Sequence, residues 1–393
     1  MQRRTWMRLV GGGFIVTAIG SLGIAGSSNY PGEVLKLWNG PSGASDLRRW
    51  ALSFAMLAPS PHNQQPWIAD LREANAITLF VDRSRLLPMT DPQFRQIMIA
   101  QGAFIETLVT ALQQRGAHPI VNLFPQGEFG RHDLDDRPLA LLRWSPSLNT
   151  PAHDPLFPQI LRRRTSKVAY DTTHPVSADT LVSLNAALGD SGVHYGATVN
   201  PTLLNALRTL CLESARVELS TPRTAMESLR LTRIGPTEIE SHPDGISVNE
   251  PIPRVLEAFG ALDRSDPPPV GSVVSKQIMS RFESYSSTAM GFVWLSTPTE
   301  KNAARGDLRA AEVAAGRAYM RLQLKATKLG LQMHPMSQAL QEFAEMKPYY
   351  DRLHLLLVGR PATMETVQML CRVGYGKDSQ HAPRRDLSAI IRA

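Results

Sequence analysis

With 393 residues, 43% of them apolar and 20% charged, the chain has the length of roughly two domains and enough apolar side chains for a sizeable core. Its net charge of +7 admits nucleic acid, an anionic membrane or a phosphate-bearing ligand, but the arginines fall in short runs (Arg162 to Arg164, Arg384 and Arg385) without interleaved aromatics, which favours phosphate over nucleic acid. Two cysteines without metal-ligand spacing, Cys211 and Cys371, exclude zinc and iron–sulfur sites, and no H-E-x-x-H, G-x-S-x-G, Walker or Rossmann motif is present.

The chain opens with Arg3-Arg4-Thr5-Trp6-Met7-Arg8, followed by an uncharged, glycine-rich stretch from Leu9 to Ala25. A basic start before a short apolar run is the pattern of an export signal, and the paired arginines resemble the twin-arginine type. The competing reading is an uncleaved anchor, since 17 uncharged residues approach the roughly 18 to 20 needed to span a bilayer. Residues 1–30 are therefore an address, and the only expected membrane contact. A processed signal implies the periplasm or the outer membrane face; an unprocessed one leaves the protein cytoplasmic or anchored.

An amphipathic helix is expected over 45–57. Ala58-Pro59-Ser60-Pro61-His62-Asn63-Gln64-Gln65-Pro66-Trp67 follows, and from its residues alone reads as a proline-punctuated turn into a strand, rich in amide and hydroxyl groups. Residues 77–82 are short, apolar and β-prone, and a helix opens at Gly102 and closes at Gly116. Arg162-Arg163-Arg164-Thr165-Ser166-Lys167 offers guanidinium, hydroxyl and ammonium donors suited to phosphate, although such a run is ordinarily a solvated helix end.

A second amphipathic helix over 178–188 leads into 195–286, a stretch with no counterpart earlier in the chain. It contains Pro251-Ile252-Pro253 and Asp266-Pro267-Pro268-Pro269 and reads as an insertion with loops. Residues 291–330 then overlie 77–116 without a gap at an offset of 214: an apolar strand, a helix opening at Gly316, and a cap at Gly330. Leu329 to Gln338 ends that helix. Leu355 to Val358 reads as a buried strand, and Pro383-Arg384-Arg385 lies near the carboxyl end. The coarse architecture is α+β, duplicated within one chain: 31–150 and 151–393, the latter carrying the insertion.

A-P-S-x-x-N-x-Q-P-W resembles the hallmark of the nitroreductase family, and all its fixed positions are present. The resemblance implies FMN, with flavin contacts from Pro59, Ser60, Asn63 and Gln65, and with Trp67 in the core. The 162–167 run is similar to the family's R-R-S-x-R/K element, which implies phosphate contacts from Arg163, Arg164, Thr165 and Lys167, with Arg162 solvated. The 329–338 segment resembles the family's helix end, which implies that Pro335, Ser337 and Gln338 pass the flavin N5 region. Arg384 and Arg385 stand where the family closes a basic pair on the phosphate.

Typical nitroreductases are homodimers whose two subunits share each FMN. Here each element occurs once, on opposite halves, which implies a pseudo-dimer holding one FMN and a monomeric protein. The long fused nitroreductase-like proteins of the mycobacterial Acg type are similar from about residue 45 to 393, and imply that the insertion covers the flavin, with a turn at Asp244-Gly245-Ile246. The expected function is hydride transfer through flavin N5 between a small-molecule donor and acceptor, with no catalytic side chain or metal assigned. The alternative is an FMN-binding protein that stores or shields flavin, because an exported protein meets no NAD(P)H and a lid obstructs a nicotinamide ring.

Overall fold

The computed structural model describes residues 29–41, 46–258, 264–299, 306 and 308–392. The expected export signal falls largely on residues 1–28, outside the described residues. Among the described residues no helix is long and apolar enough to cross a membrane.

The first half contains α1 (Leu47–Ala55), β1 (Trp67–Asp70), β2 (Ala76–Val81), α2 (Arg95–Gln114), β3 (Ile120–Leu123) and β4 (Ala140–Arg143). The second opens with α3 (Ala178–Asn185) and β5 (His194–Thr198). A block then intervenes: α4 (Pro201–Ser220), α5 (Pro222–Arg230), β6 (Thr232–Ile234), α6 (Gly235–Ser241), β7 (Ile246–Val248), α7 (Pro251–Ala258) and α8 (Val273–Ser287). The half resumes with β8 (Gly291–Pro298), α9 (Leu308–Lys328), β9 (Gln332–Pro335), α10 (Lys347–Val358) and β10 (Glu365–Gly374), and the chain ends on β11 (Ile391–Arg392).

Local chemistry sets many of these boundaries. Asp46, Ser177, Asn200 and Ser272 cap α1, α3, α4 and α8, each side chain accepting from a backbone N–H in the first turn. Gly116 and Gly330 adopt left-handed φ values of +80° and +71° just past α2 and α9. The same pair of hydrogen bonds closes both helices: Gly116 N to Gln113 O with Ala117 N to Leu112 O, and Gly330 N to Thr327 O with Leu331 N to Ala326 O.

Strand order is the same in both halves. One sheet runs β11-β1-β2-β4-β3 and the other β5-β8-β10-β9, and the pairs β1-β2, β2-β4, β3-β4 match β5-β8, β8-β10, β9-β10 in being antiparallel. The exception is β11, which joins β1 in parallel at Ala69–Ile391, so the end of the second half completes the first half's sheet. Between the sheets α2 and α9 cross at Gly102 and Gly316. A Cβ on Gly102 would stand 2.1 Å from Val313 O, and one on Gly316 only 1.9 Å from Ile99 O.

Three sequence expectations need correction. The long helices begin at Arg95 and Leu308 rather than at the glycines. Those glycines are interior because backbone meets backbone there, and the close approach outweighs glycine's poor helix propensity. Residues 355–358 are the last turn of α10, ended by Gly359 at φ +66°, not a strand; Leu355 is exposed. A four-residue apolar run cannot separate the two states. The intervening block starts after Thr198, since 195–198 belong to β5, and it is largely helical rather than loop.

Candidate functional site

The Pro59 to Gln65 segment bridges α1 and β1 in a conformation that few non-glycine residues adopt. His62, Asn63 and Gln65 have φ of +47°, +53° and +52°; left-handed backbone costs about 1–2 kcal/mol per residue. Such strain persists where surrounding contacts over-determine the loop, and here they come from the intervening block and from the carboxyl end of the chain. Ser60 Oγ accepts from Gln65 N at 2.9 Å. Asn63 Nδ2 donates to Pro383 O at 3.1 Å, and Asn63 Oδ1 accepts from Arg384 Nη1 at 2.8 Å. Gln65 Nε2 donates to Asn63 O and to Pro243 O, and its Oε1 accepts from Arg385 N. Gly245 N donates to Asn63 O at 3.4 Å, and Gly245 itself turns at φ +76°.

Gln65 is thus fully buried with both ends of its amide engaged by protein. Its side chain fixes the loop, so any contact with a ligand falls to its backbone. Pro59, Ser60 and Asn63 remain part-exposed. Trp67 is buried as expected, stacked on Phe104 at 4.7 Å with its Nε1 on Met56 Sδ.

At one end of this loop two guanidiniums converge. Arg163 and Arg384 are both buried, and both donate to the carbonyl of Leu57. Arg163 Nε also donates to Gln323 Oε1 at 3.0 Å, and Arg384 Nη2 to Ala58 O at 3.2 Å. Both lie over the Trp38 ring, at 5.5 and 5.0 Å, whose Nε1 donates to Ala382 O and whose other neighbour is His381, stacked at 4.1 Å. Among the described residues no carboxylate contacts either arginine, and Arg384 Nε is buried without a partner. Burial pulls the Arg163 guanidinium down to about 10, and burial with the Arg163 charge beside it pulls Arg384 well below its ordinary value. Thr165 Oγ1 accepts from Arg163 Nη2 at 3.5 Å. Arg164 pairs with the exposed Asp378 at 3.2 Å and keeps a buried, unpartnered Nε.

Two basic residues expected here are placed elsewhere. Arg385 stands 3.6 Å from Asp82 and donates to Gln65 O, so a carboxylate already partners it. Lys167 shares its surroundings with His62, His334, Glu218 and Arg281 instead of the arginine pair. Its side chain is accessible, yet burial within the fold lowers its pKa, the combination that a cleft wall produces. The backbone explains the separation. Ser166 N donates to Met333 O, while Arg372, stacked over Tyr170 at 4.0 Å, donates to the carbonyls of Ser166 and Val168 and so holds Lys167 between them.

His62 Nε2 lies 2.9 Å from Ser228 Oγ on α5, and Ser228 Oγ is 3.3 Å from Glu218 Oε1 on α4. Gln338 approaches the same carboxyl, and with Ser337 it forms a half-buried turn beyond β9, where Pro335 pairs with Cys371. His334 accepts from Arg372 Nε at 3.1 Å and Met336 is core. Sequence reading missed Trp38, His381, Ser228 and Glu218. Only Trp38 carried a signal, its i,i+4 spacing from Val34, and that marks a buried helical face rather than a site. Cys211 and Cys371 are buried free thiols, and no group of metal-ligating side chains assembles among the described residues.

No family model matches the chain. A Mycobacterium tuberculosis protein named "Putative NAD(P)H nitroreductase" is 27% identical over 347 residues, 87% of this chain and 90% of its own length. A second from the same organism, named as the nitroreductase acg in the same form, is 28% identical over 188 residues, 48% of this chain and 50% of its own. Among solved structures, the FMN-dependent nitroreductase NfnB from Mycobacterium smegmatis, in complex with NADPH, is similar over 60% of this chain and 96% of its own at 16% identity, with a TM-score of 0.37.

Proposed function

We propose that this chain is an FMN-dependent oxidoreductase of the nitroreductase type, in which two related halves share one cofactor. One observation carries the reading: Arg163 and Arg384 are buried side by side over Trp38, without a carboxylate among the described residues and with Arg384 Nε unpartnered. Two desolvated like charges are costly unless an anion joins them. A phosphate monoester matches their donors, and Arg164 and Thr165 border the same end.

Pro59, Ser60 and Asn63 would flank the flavin, Ser337 and Gln338 would lie toward its N5 side, and Lys167 would border the cleft away from the arginine pair. When bound, FMN would supply the redox chemistry, a hydride transfer between a small-molecule donor such as a dihydronicotinamide and an acceptor such as a nitro compound. The chain's own residues anchor the phosphate, fix the ring through the strained 59–65 loop and keep water out. The matching order of elements in the two halves supports an internal duplication, hence a pseudo-dimer that needs no second chain. Export of the folded, loaded protein through the amino-terminal segment is a separate part of the proposal, and an exported form would draw its electrons from a small-molecule donor other than NAD(P)H.

A second reading, a flavin-shielding protein, is favoured by the way α5 is fastened over the loop. Glu227 accepts from Met89 N, Thr90 N and Thr90 Oγ1, and Ser228 meets His62. The deciding experiment is the visible spectrum of purified protein, followed anaerobically after NADPH and then dithionite. Flavin bands that bleach with NADPH support the reductase. Bands that bleach only with dithionite support shielding. A colourless protein that takes up no FMN overturns both.

A further inference from the structure

The intervening block contributes two members of a line of three side chains that no part of the proposed flavin chemistry uses. Glu218, on α4, is 6% exposed, and its Oε2 makes no hydrogen bond. Its Oε1 is 3.3 Å from Ser228 Oγ, which is 2.9 Å from His62 Nε2. His62 belongs to the strained loop that would lie against the flavin. A hydroxyl between a carboxyl and an imidazole is not a nucleophilic triad, because there the imidazole separates the other two. It is an arrangement for passing a proton, since a hydroxyl can donate to either neighbour while accepting from the other.

We infer that Glu218, Ser228 and His62 form a proton line from the inserted block to the cleft, and that it delivers the proton accompanying each hydride to the acceptor. Glu218 is the reservoir: its proton passes to Ser228 Oγ, the hydroxyl's own proton passes to His62 Nε2, and His62 releases the proton on Nδ1 to the acceptor. Glu218 is left as a carboxylate and regains a proton from water. The hydride comes from the flavin, itself reduced by a dihydronicotinamide, so the acceptor gains one hydride and one proton. This rests on the flavin reading above.

The surrounding charges suit both ends. Burial, aided by the Glu227 charge, raises the Glu218 pKa, against the Ser228 hydroxyl and the nearby Gln341 and Gln338 amides. Burial, then the Lys167 ammonium, brings His62 down to about 4, so the ring starts neutral. Arg281 and Glu218 act on Lys167 in turn.

The test has two arms on the full chain. Infrared difference spectra at neutral pH are expected to contain a protonated-carboxyl band that vanishes in Glu218→Gln and shifts in Ser228→Ala; its absence from the wild type overturns the line. In stopped flow, protein reduced by NADPH is mixed with a nitroaromatic acceptor. Oxidation is expected to slow at least tenfold in both variants and to lose its pH dependence, with FMN affinity unchanged in Glu218→Gln and Ser228→Thr restoring the rate. Unaltered oxidation rates overturn the proton role. If the wild type takes up no FMN, the cofactor reading fails by itself, and the infrared arm alone decides whether the line exists.

Discussion

Arg95 and Arg309 occupy the same place in the two long central helices, 214 positions apart, and each reaches out of its own half. Arg95, in the first turn of α2, donates to Leu340 O, Val367 O and Gln368 O of the second half. Arg309, in the first turn of α9, donates to Gly130 O at 2.9 Å and Arg131 O at 2.7 Å of the first. Each has a carboxylate beside it, Glu342 at 3.3 Å and Glu312 at 2.7 Å. Replacing either arginine by methionine leaves a buried carboxylate and several carbonyls unpaired. Each change is expected to cost about 3–5 kcal/mol in chemical denaturation, since breaking one side of a buried pair has that magnitude. A loss below about 1 kcal/mol in both would mean the halves do not depend on these cross-links.

Gly102 and Gly316 show the same reciprocity, each opposing a carbonyl of the other helix, Val313 O and Ile99 O. A methyl group at either position forces the helices apart. Gly102→Ala and Gly316→Ala are each expected to destabilise by about 1–3 kcal/mol or more, as overpacked cores do. Gly32→Ala, where a Cβ meets nothing within 4 Å, should stay within about 0.5 kcal/mol. Equal urea midpoints for all three variants would contradict the crossing.

What the sequence disclosed and what it hid follows from the range of the interactions. The ends of the two long helices were legible because capping glycines are local signals, and Gly116 and Gly330 do end their helices. Where the helices begin was not, because Gly102 and Gly316 sit at a crossing that no local propensity reports. The arginines were legible as a basic cluster, but not their division. Arg384 joins Arg163 through Leu57 O, while Arg385 turns to Asp82 and Lys167 to the far side, and those outcomes depend on strand register and on loops distant in sequence. Glu218 and Ser228 were invisible because their partner, His62, lies more than 150 residues away.

The arginine pair predicts two effects of opposite sign. Arg384→Met removes a buried cation that no carboxylate of the described residues neutralises, so the apoprotein should be unchanged or more stable. FMN affinity should fall by about 1.5–3 kcal/mol, the size of a hydrogen bond to a charged group, or roughly ten- to 150-fold. Riboflavin, which lacks the phosphate, should bind the variant and the wild type alike. Flavin fluorescence titrations measure both ligands, and an equal loss for the two would remove phosphate from the assignment.

His354 predicts part of the acid sensitivity. Its Nε2 accepts from Val367 N at 2.9 Å and its Nδ1 faces Tyr350 O at 2.7 Å, a pattern that requires the neutral ring. Burial brings its pKa down to about 4 from 6.5. An unfolded chain takes up this proton near pH 6.5 and the fold resists until about 4, so the contribution is complete above 6.5 and is lost as pH falls through that window. The difference amounts to at most about 3 kcal/mol at about 1.4 kcal/mol per unit. Denaturation midpoints from pH 4 to 7 should rise less steeply in His354→Gln than in the wild type; identical slopes would exclude this histidine.

Glu227 fastens α5 to Met89 and Thr90, one residue before the Ser228 that meets His62 of the 59–65 loop. Its carboxylate receives Met89 N at 3.0 Å and Thr90 N at 2.9 Å, two charge-assisted bonds across a chain separation of more than 130 residues. Replacing it by alanine removes both, together with the Thr90 hydroxyl contact, and leaves α5 held to the loop mainly through Ser228 and His62. Each such bond is worth about 1.5–3 kcal/mol, so the open fraction should rise at least tenfold. Bound flavin should then be reduced correspondingly faster by NADPH and released faster on dilution, while trypsin should cleave more readily at the arginines of 221–248. If the wild type already reacts with NADPH as fast as Glu227→Ala, the inserted block does not limit access, and the shielding reading loses its structural support. If only the variant reacts, the wild type is a shielded flavoprotein whose physiological donor must first release α5.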